Sequence, residues 1–329
     1  MEVNMRAFLS KPSFGVQQPP EPAQDPVLPL LPPPLDLRQT YAVKPPPLDV
    51  VWQGGPLVGT TGCVVAPGGV GKSWWSLLAC HSVACGAVGD ILGLGVPVPG
   101  PALYVAAEDP VSVIKQRVWQ IGQRLCEAAR EQAARNLRVV PALGAGIDVE
   151  DPAYWAEIEA LARGCRLVIL DTLSRIHQRD EASPGEMRAV IARIEALAAR
   201  CGAAVLYVHH VAKAAIRDGR LDDATAVRGA TVLVDHARWV AALVRMDSAD
   251  AEARGLTRDE ARDWLRLVIT KGNYGATTND DIWYRRDTGG VLVRDEPPEA
   301  EARPGAAPPA TGRRCRSVSA ATIAEQVQW

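Results

Sequence analysis

The chain has 329 residues, enough for one large core with extensions rather than a single small domain. Hydrophobic residues make up 47% and charged residues 22%, a balance that excludes a fibrous or wholly disordered chain. The formal net charge of −2 excludes a global basic field, so any nucleic-acid site must be local or assembled by bringing subunits together.

Residues Lys11 to Pro47 are dense in proline, including Pro32-Pro33-Pro34 and Pro45-Pro46-Pro47. Proline removes backbone donors and favours polyproline II, so residues 1–45 read as an extended or disordered leader. Gly62–Ala66 is a short apolar strand entering a glycine turn, and Ser73–Cys85 is a buried helix. Ala102–Ala106 is a second strand. Residues Ser112 to Ala134 carry Val113, Ile114, Val118, Ile121 and Leu125 at helical spacing and read as one helix. Arg166–Leu170 is a third strand, apolar on both faces as central parallel strands are.

Ser183-Pro184-Gly185-Glu186 is a capping-box pattern with proline at the first helical position. It opens a helix that places Met187, Val190, Ile191, Ile194 and Leu197 on one face and ends near Gly202. Ala203–Val208 is a fourth buried strand. Arg238–Val244, Leu265–Lys271 and Val291–Arg294 read as further strands, antiparallel at the sheet edge. Residues 297–329, rich in Pro, Ala and Arg, read as a disordered tail. Strands alternating with helices predict an α/β core over 46–296, with a mostly parallel sheet flanked by helices.

Seven isolated cysteines form no C-x-x-C pair and read as free thiols of a reducing compartment. No run approaches the ~20 apolar residues of a membrane span, and Met1–Phe14 lacks a signal-peptide core. The expectation is a cytoplasmic protein with no membrane partner.

Ala66-Pro67-Gly68-Gly69-Val70-Gly71-Lys72-Ser73 is a phosphate-binding loop, with Ala66 where the strict pattern has glycine. Glycines let the backbone wrap a phosphate with its N–H groups inward, and the following helix adds its N-terminal dipole. Lys72 is then the ligand of the β- and γ-phosphates of ATP, and Ser73 a ligand of Mg²⁺. Asp171 ends an apolar strand, where a magnesium-serving carboxylate belongs. Glu108 ends the second strand and in a parallel sheet emerges at the same edge, placed to polarise the attacking water. Asp109, before Pro110, reads as a turn or cap residue.

His209-His210 finishes the fourth strand at that edge. With five histidines in the chain and no His-Glu-x-x-His pattern, a hydrogen-bonding sensor of the γ-phosphate is a better reading than a zinc site, with His210 the sensor and His209 structural. Lys213, Arg217 and Arg220 stud a polar loop that reads either as plain surface or as a contact to nucleic-acid phosphates. Arg228, Arg238 and Lys271 flank later strands. Each is either a surface cation or a finger reaching a neighbouring subunit's nucleotide.

Taken together, these segments closely resemble the RepA replicative helicases of IncQ-type broad-host-range plasmids, a RecA-like family. The resemblance rests on Pro46–Asp49, Ala66–Ser73, Ala107–Pro110, Leu170–His177, Val208–Lys213, Arg228–Asp235, Arg238-Trp239 and Lys271–Ala276, collinear from about Pro46 to Val293. It implies a homo-hexameric ring around single-stranded DNA, driven by ATP hydrolysis between subunits with 5′ to 3′ polarity. By position, Glu108 activates water, Asp171 serves magnesium, His210 senses the γ-phosphate and Arg238 is the trans finger, with Arg228 and Lys271 as alternatives. The loop carrying Lys213 and Arg217 corresponds to one facing the DNA channel, although Arg217–Asp223 departs from the family pattern. A plasmid initiator or a primase is a candidate partner. Two other functions fit the same residues: a RecA-like recombination or repair ATPase, and an ATP-dependent regulatory or scaffold module without unwinding activity.

Overall fold

A computed structural model describes residues 33–210, 231–274 and 281–299. The chain divides into two units, Met1–Pro47 and Leu48–Trp329. The described part of the first unit holds a short helix, α1 (Leu37–Ala42), inside the stretch expected to be extended. The reason is local: the run between the proline clusters is proline-free, and the Asp36 side chain accepts from the N–H groups of Arg38 and Gln39.

The second unit is built on one nine-stranded sheet in the order β3-β2-β4-β5-β1-β6-β7-β8-β9. The strands are β1 (Thr61–Ala66), β2 (Ala102–Ala106), β3 (Leu137–Pro141), β4 (Leu167–Asp171), β5 (Ala204–His210), β6 (Trp239–Arg245), β7 (Trp264–Gly272), β8 (Ile282–Arg286) and β9 (Leu292–Arg294). The first six in that spatial order pair in parallel, and β7, β8 and β9 add antiparallel edge strands. The expected fold class is therefore the observed one. The antiparallel expectation for β6 is corrected, because β6 pairs in parallel with β1. The chain that runs from His210 to Trp239 is long enough for the crossover a parallel partner needs, and α7 (Thr231–His236) lies within it.

Side-chain alternation along β1 divides the core. Val64 and Ala66 join α2 (Lys72–Cys85), α3 (Val111–Gly122) and α4 (Glu127–Asn136) on one face. Cys63 and Val65 join α5 (Pro152–Ala162), α6 (Pro184–Cys201) and α7 on the other. With both faces covered, β1 and β4 are fully buried, which is why their sequences read as unbroken apolar runs. The helix expected over Ser112–Ala134 is two helices, since the chain turns at Gln123–Cys126 to sink Leu125 into the core.

Several elements escaped sequence analysis. The edge strand β3 is half-exposed without clear alternation. The α5 helix was signalled by Asp151-Pro152, where the Asp151 carboxylate caps Ala153 N–H. Three short helices, α7, α8 (Ser248–Ala253) and α9 (Arg258–Ala261), and the short strand β8 were missed as well. The six described cysteines are free. No helix among the described residues is long and apolar enough to cross a membrane.

Gly62, at the centre of the sheet, is tightly enclosed. A Cβ there would lie 2.5 Å from Leu206 Cδ2 and 3.0 Å from the Trp239 carbonyl oxygen. Gly62→Ala is expected to lower unfolding free energy by about 1–3 kcal/mol through overpacking. Gly185→Ala, which meets open space at the start of α6, is expected to be neutral or mildly stabilising. Urea unfolding of both variants checks the contrast.

Candidate nucleotide site

Parallel pairing brings the carboxyl ends of the strands to one edge, and register makes this specific. Ala66 at the end of β1 pairs with His210 at the end of β5, and Ala106 at the end of β2 pairs with Asp171 at the end of β4. The loop Pro67–Gly71 leaves β1 at this edge and runs into α2. Gly69 and Gly71 have φ of 73° and 120°, a region in which glycine is favoured over residues with a side chain. No side chain caps α2, so its first-turn N–H groups remain available to an anion. Lys72 and Ser73 are buried at that end.

Glu108, two residues past β2, lies between two partners. Its Oε2 is 3.6 Å from Lys72 Nζ, and its Oε1 is 3.5 Å from His210 Nε2. Asp109 does not cap α3, whose N-cap is Pro110; it pairs with Arg117 at 2.5 Å, and Arg117 in turn lies over the Trp74 ring. His209, one residue before His210, is buried at 8% exposure, and its Nδ1 has no hydrogen-bond partner. Burial lowers its pKa, against the pull of Glu181, and keeps the ring neutral.

Asp171 is 1% exposed. Tyr104 donates its hydroxyl to Asp171 Oδ2 at 2.6 Å, while Oδ1 is buried with no hydrogen-bond partner. Burial pushes the carboxyl above its usual pKa; Tyr104, Ser73 and Lys72 favour the charged form and hold that rise back. An orphaned carboxylate oxygen close to a serine hydroxyl is a hard oxygen donor set, which fits a magnesium ion. In the sequence, Tyr104 reads as one more apolar strand residue. The signal for its role is a phenol inside a fully buried strand, where the O–H needs a partner.

The remaining cations fall elsewhere. Arg238 lies at the opposite edge of the sheet: its N–H donates to Thr61 O at 2.8 Å, beside the start of β1. Five residues of extended strand, about 17 Å, separate Thr61 from Ala66. Arg238 is exposed and borders a small surface pocket with Gly55, Pro56, Asn273 and Tyr274. Lys271 is occupied, donating to the Val234 and Asp235 carbonyls at 3.0 and 2.9 Å. Lys213, Arg217, Arg220 and Arg228 lie outside the described residues.

Two arginines that sequence analysis missed grip the loop from behind. Arg245 donates to the Gly69 carbonyl at 2.7 Å and Arg286 to the Val70 carbonyl at 2.6 Å. They come from the ends of β6 and β8, far apart in sequence, and no local pattern marks them.

Tyr104→Phe removes the donor that favours ionised Asp171, so the carboxyl should protonate at a higher pH than in the wild type. The acid limb of the pH–rate profile for nucleotide hydrolysis is expected to move upward, with a stability loss of about 1 kcal/mol. An unchanged acid limb would show that Asp171 ionisation does not limit turnover.

Two comparisons bear on this geometry. The fold matches a solved ATPase domain with a TM-score of 0.52 over 72% of this chain and 85% of that one, at 12% identity. That likeness is one of fold. Residues 26–215, which include the loop, Glu108, Asp171 and His210, match the model of the AAA domain family. The match spans more than half of the sequence, and the chain belongs to the AAA domain family.

Proposed function

We propose that this protein is an ATP-driven motor that moves along single-stranded DNA as a homo-hexameric ring and unwinds duplex during plasmid or mobile-element replication. The observation that carries the hydrolytic part is the placement of Glu108 between Lys72 and His210, next to an uncapped helix N-terminus. In this reading the N–H groups of the loop and Lys72 hold the β- and γ-phosphates of ATP. Glu108 accepts a proton from the attacking water through the carboxylate that faces His210. His210, with Nε2 on Glu108, registers whether that carboxylate is engaged and so reads the state of the γ-phosphate. Ser73 and Asp171 would hold magnesium, which when bound neutralises phosphate charge.

Arg238 supports the assignment of hydrolysis to a subunit interface. It sits at the sheet edge away from its own loop, so it cannot serve the nucleotide of its own subunit, whereas a neighbour in a ring can receive it. Among the described residues Lys271 is the poorer finger, because its ammonium is bound by two carbonyls. The residues Lys213 and Arg217 are proposed to face DNA in the channel, where a modest local charge is repeated six times. The resemblance to plasmid RepA helicases supports the ring, the DNA track and 5′ to 3′ movement.

Steady-state ATP hydrolysis with and without single-stranded DNA tests this. Wild type should be strongly stimulated by DNA, and Lys72→Ala should lose hydrolysis. Arg238→Ala should assemble and bind ATP yet turn over at least about tenfold more slowly, as loss of a charge-stabilising finger requires. Turnover indifferent to DNA would sink the motor and leave an ATP-regulated module. Normal turnover by Arg238→Ala would move the finger elsewhere.

A further inference from the structure

A phosphate-binding loop works only if successive N–H groups point inward, which turns the carbonyls outward. Gly68, Gly69 and Gly71 make that arrangement sterically possible but also leave the free loop many alternatives. A Cβ at Gly68 or Gly69 would meet nothing within 4 Å, so side-chain packing does not hold this part of the loop. Inside the loop one long backbone bond, from the Val70 N–H to the Pro67 carbonyl at 3.5 Å, restrains the peptide planes, and the Gly69 and Val70 carbonyls need holding from outside.

We infer that Arg245 and Arg286 form a guanidinium brace on the outer side of the loop, positioning residues that hold the Gly69 and Val70 carbonyls outward and so keep the loop ready for phosphate. The two bonds, 2.7 and 2.6 Å, fall on consecutive carbonyls. Each cation is the last residue of its strand. Arg245 pairs with Leu265 and Arg286 with Leu292, so the sheet itself fixes where the guanidiniums start. Gly71 gives the brace room: a Cβ there would come within 3.2 Å of Arg286 Nη2.

The placement has a cost that argues for a purpose. Arg286 is half-buried, and burial together with the nearby Arg245 charge disfavours its cation, with Asp263 offsetting only part of this. Two like charges brought together over a glycine loop, each spent on a neutral carbonyl, fit a demand for loop geometry better than a demand for ion pairing. Charge-assisted bonds of this kind are the stronger class of hydrogen bond. A loop held in its bound shape loses less conformational entropy on taking up phosphate, so the brace acts on nucleotide affinity.

This inference rests on the reading of the loop as an ATP site. The experiment uses the full-length protein with ATP and ADP as probes. Dissociation constants, KM and kcat are measured for wild type, Arg245→Ala, Arg286→Ala and Arg286→Lys, with melting temperatures taken without nucleotide. The alanine variants are expected to raise the ADP dissociation constant and the KM for ATP about tenfold, the scale of one charge-assisted bond. Their kcat should fall less than about threefold, their nucleotide-free melting temperatures should stay near wild type, and Arg286→Lys should recover part of the affinity. Wild-type affinity in folded Arg245→Ala or Arg286→Ala would overturn the brace, as would a fall in kcat at constant KM. Should Arg286→Ala not fold, Arg245→Ala, at an exposed position, still decides the question. Failure of wild type to bind either nucleotide would overturn the ATP-site reading and the brace with it, an outcome distinct from failure of the variants alone.

Discussion

Parallel pairing of β1 with β5, and of β2 with β4, governs the geometry of the whole site, because it decides which residues share an edge. Parallel register sets Ala66 beside His210 and Ala106 beside Asp171. The sequence segments that follow those strands therefore open into the same space, although more than a hundred residues separate Lys72 from His210. Burial of both sheet faces is what makes this register unforgiving. A slip of one residue would swap Val64 with Val65 between two separate cores and carry the loop with it.

The electrostatics of the edge follow from the same placement. Asp171 is almost completely buried, a costly position for a carboxylate, and the Tyr104 hydroxyl, with Ser73 and Lys72 nearby, offsets part of that cost. Lys72 faces Glu108, and Glu108 faces His210, so the Lys72 cation is balanced by a carboxylate. On the outer side, Arg245 and Arg286 bind carbonyls, not carboxylates. The loop is thus enclosed by charge on two sides, and inside it the Val70 N–H donates to the Pro67 carbonyl at 3.5 Å.

The two ends of β6 have contrasting surroundings. Arg245 at one end touches the loop of its own chain, and Arg238 at the other end is exposed beside the first residue of β1. The strand that carries both surroundings, β6, is the parallel hydrogen-bonded neighbour of β1, which leads into the loop.

Local patterns were sufficient for most strands, the class of sheet and the loop, because each is a matter of apolar runs, glycine placement and capping. Gly62–Ala66, Ala102–Ala106 and the Ser183 cap at the head of α6 are all legible within a few residues. Residues at strand ends, Glu108, Asp171 and His210, were also legible as candidates, since a parallel sheet sends strand ends to one side. Distance and direction between segments remote in the chain came from the folded arrangement alone. Tyr104 on Asp171, Arg245 and Arg286 on the loop, the parallel pairing of β6, and the removal of Arg238 to the far edge all follow from which strands become neighbours. Neighbour choice is set by burial of the whole sheet between its two helical layers, an energy summed over the domain that no short stretch of residues records.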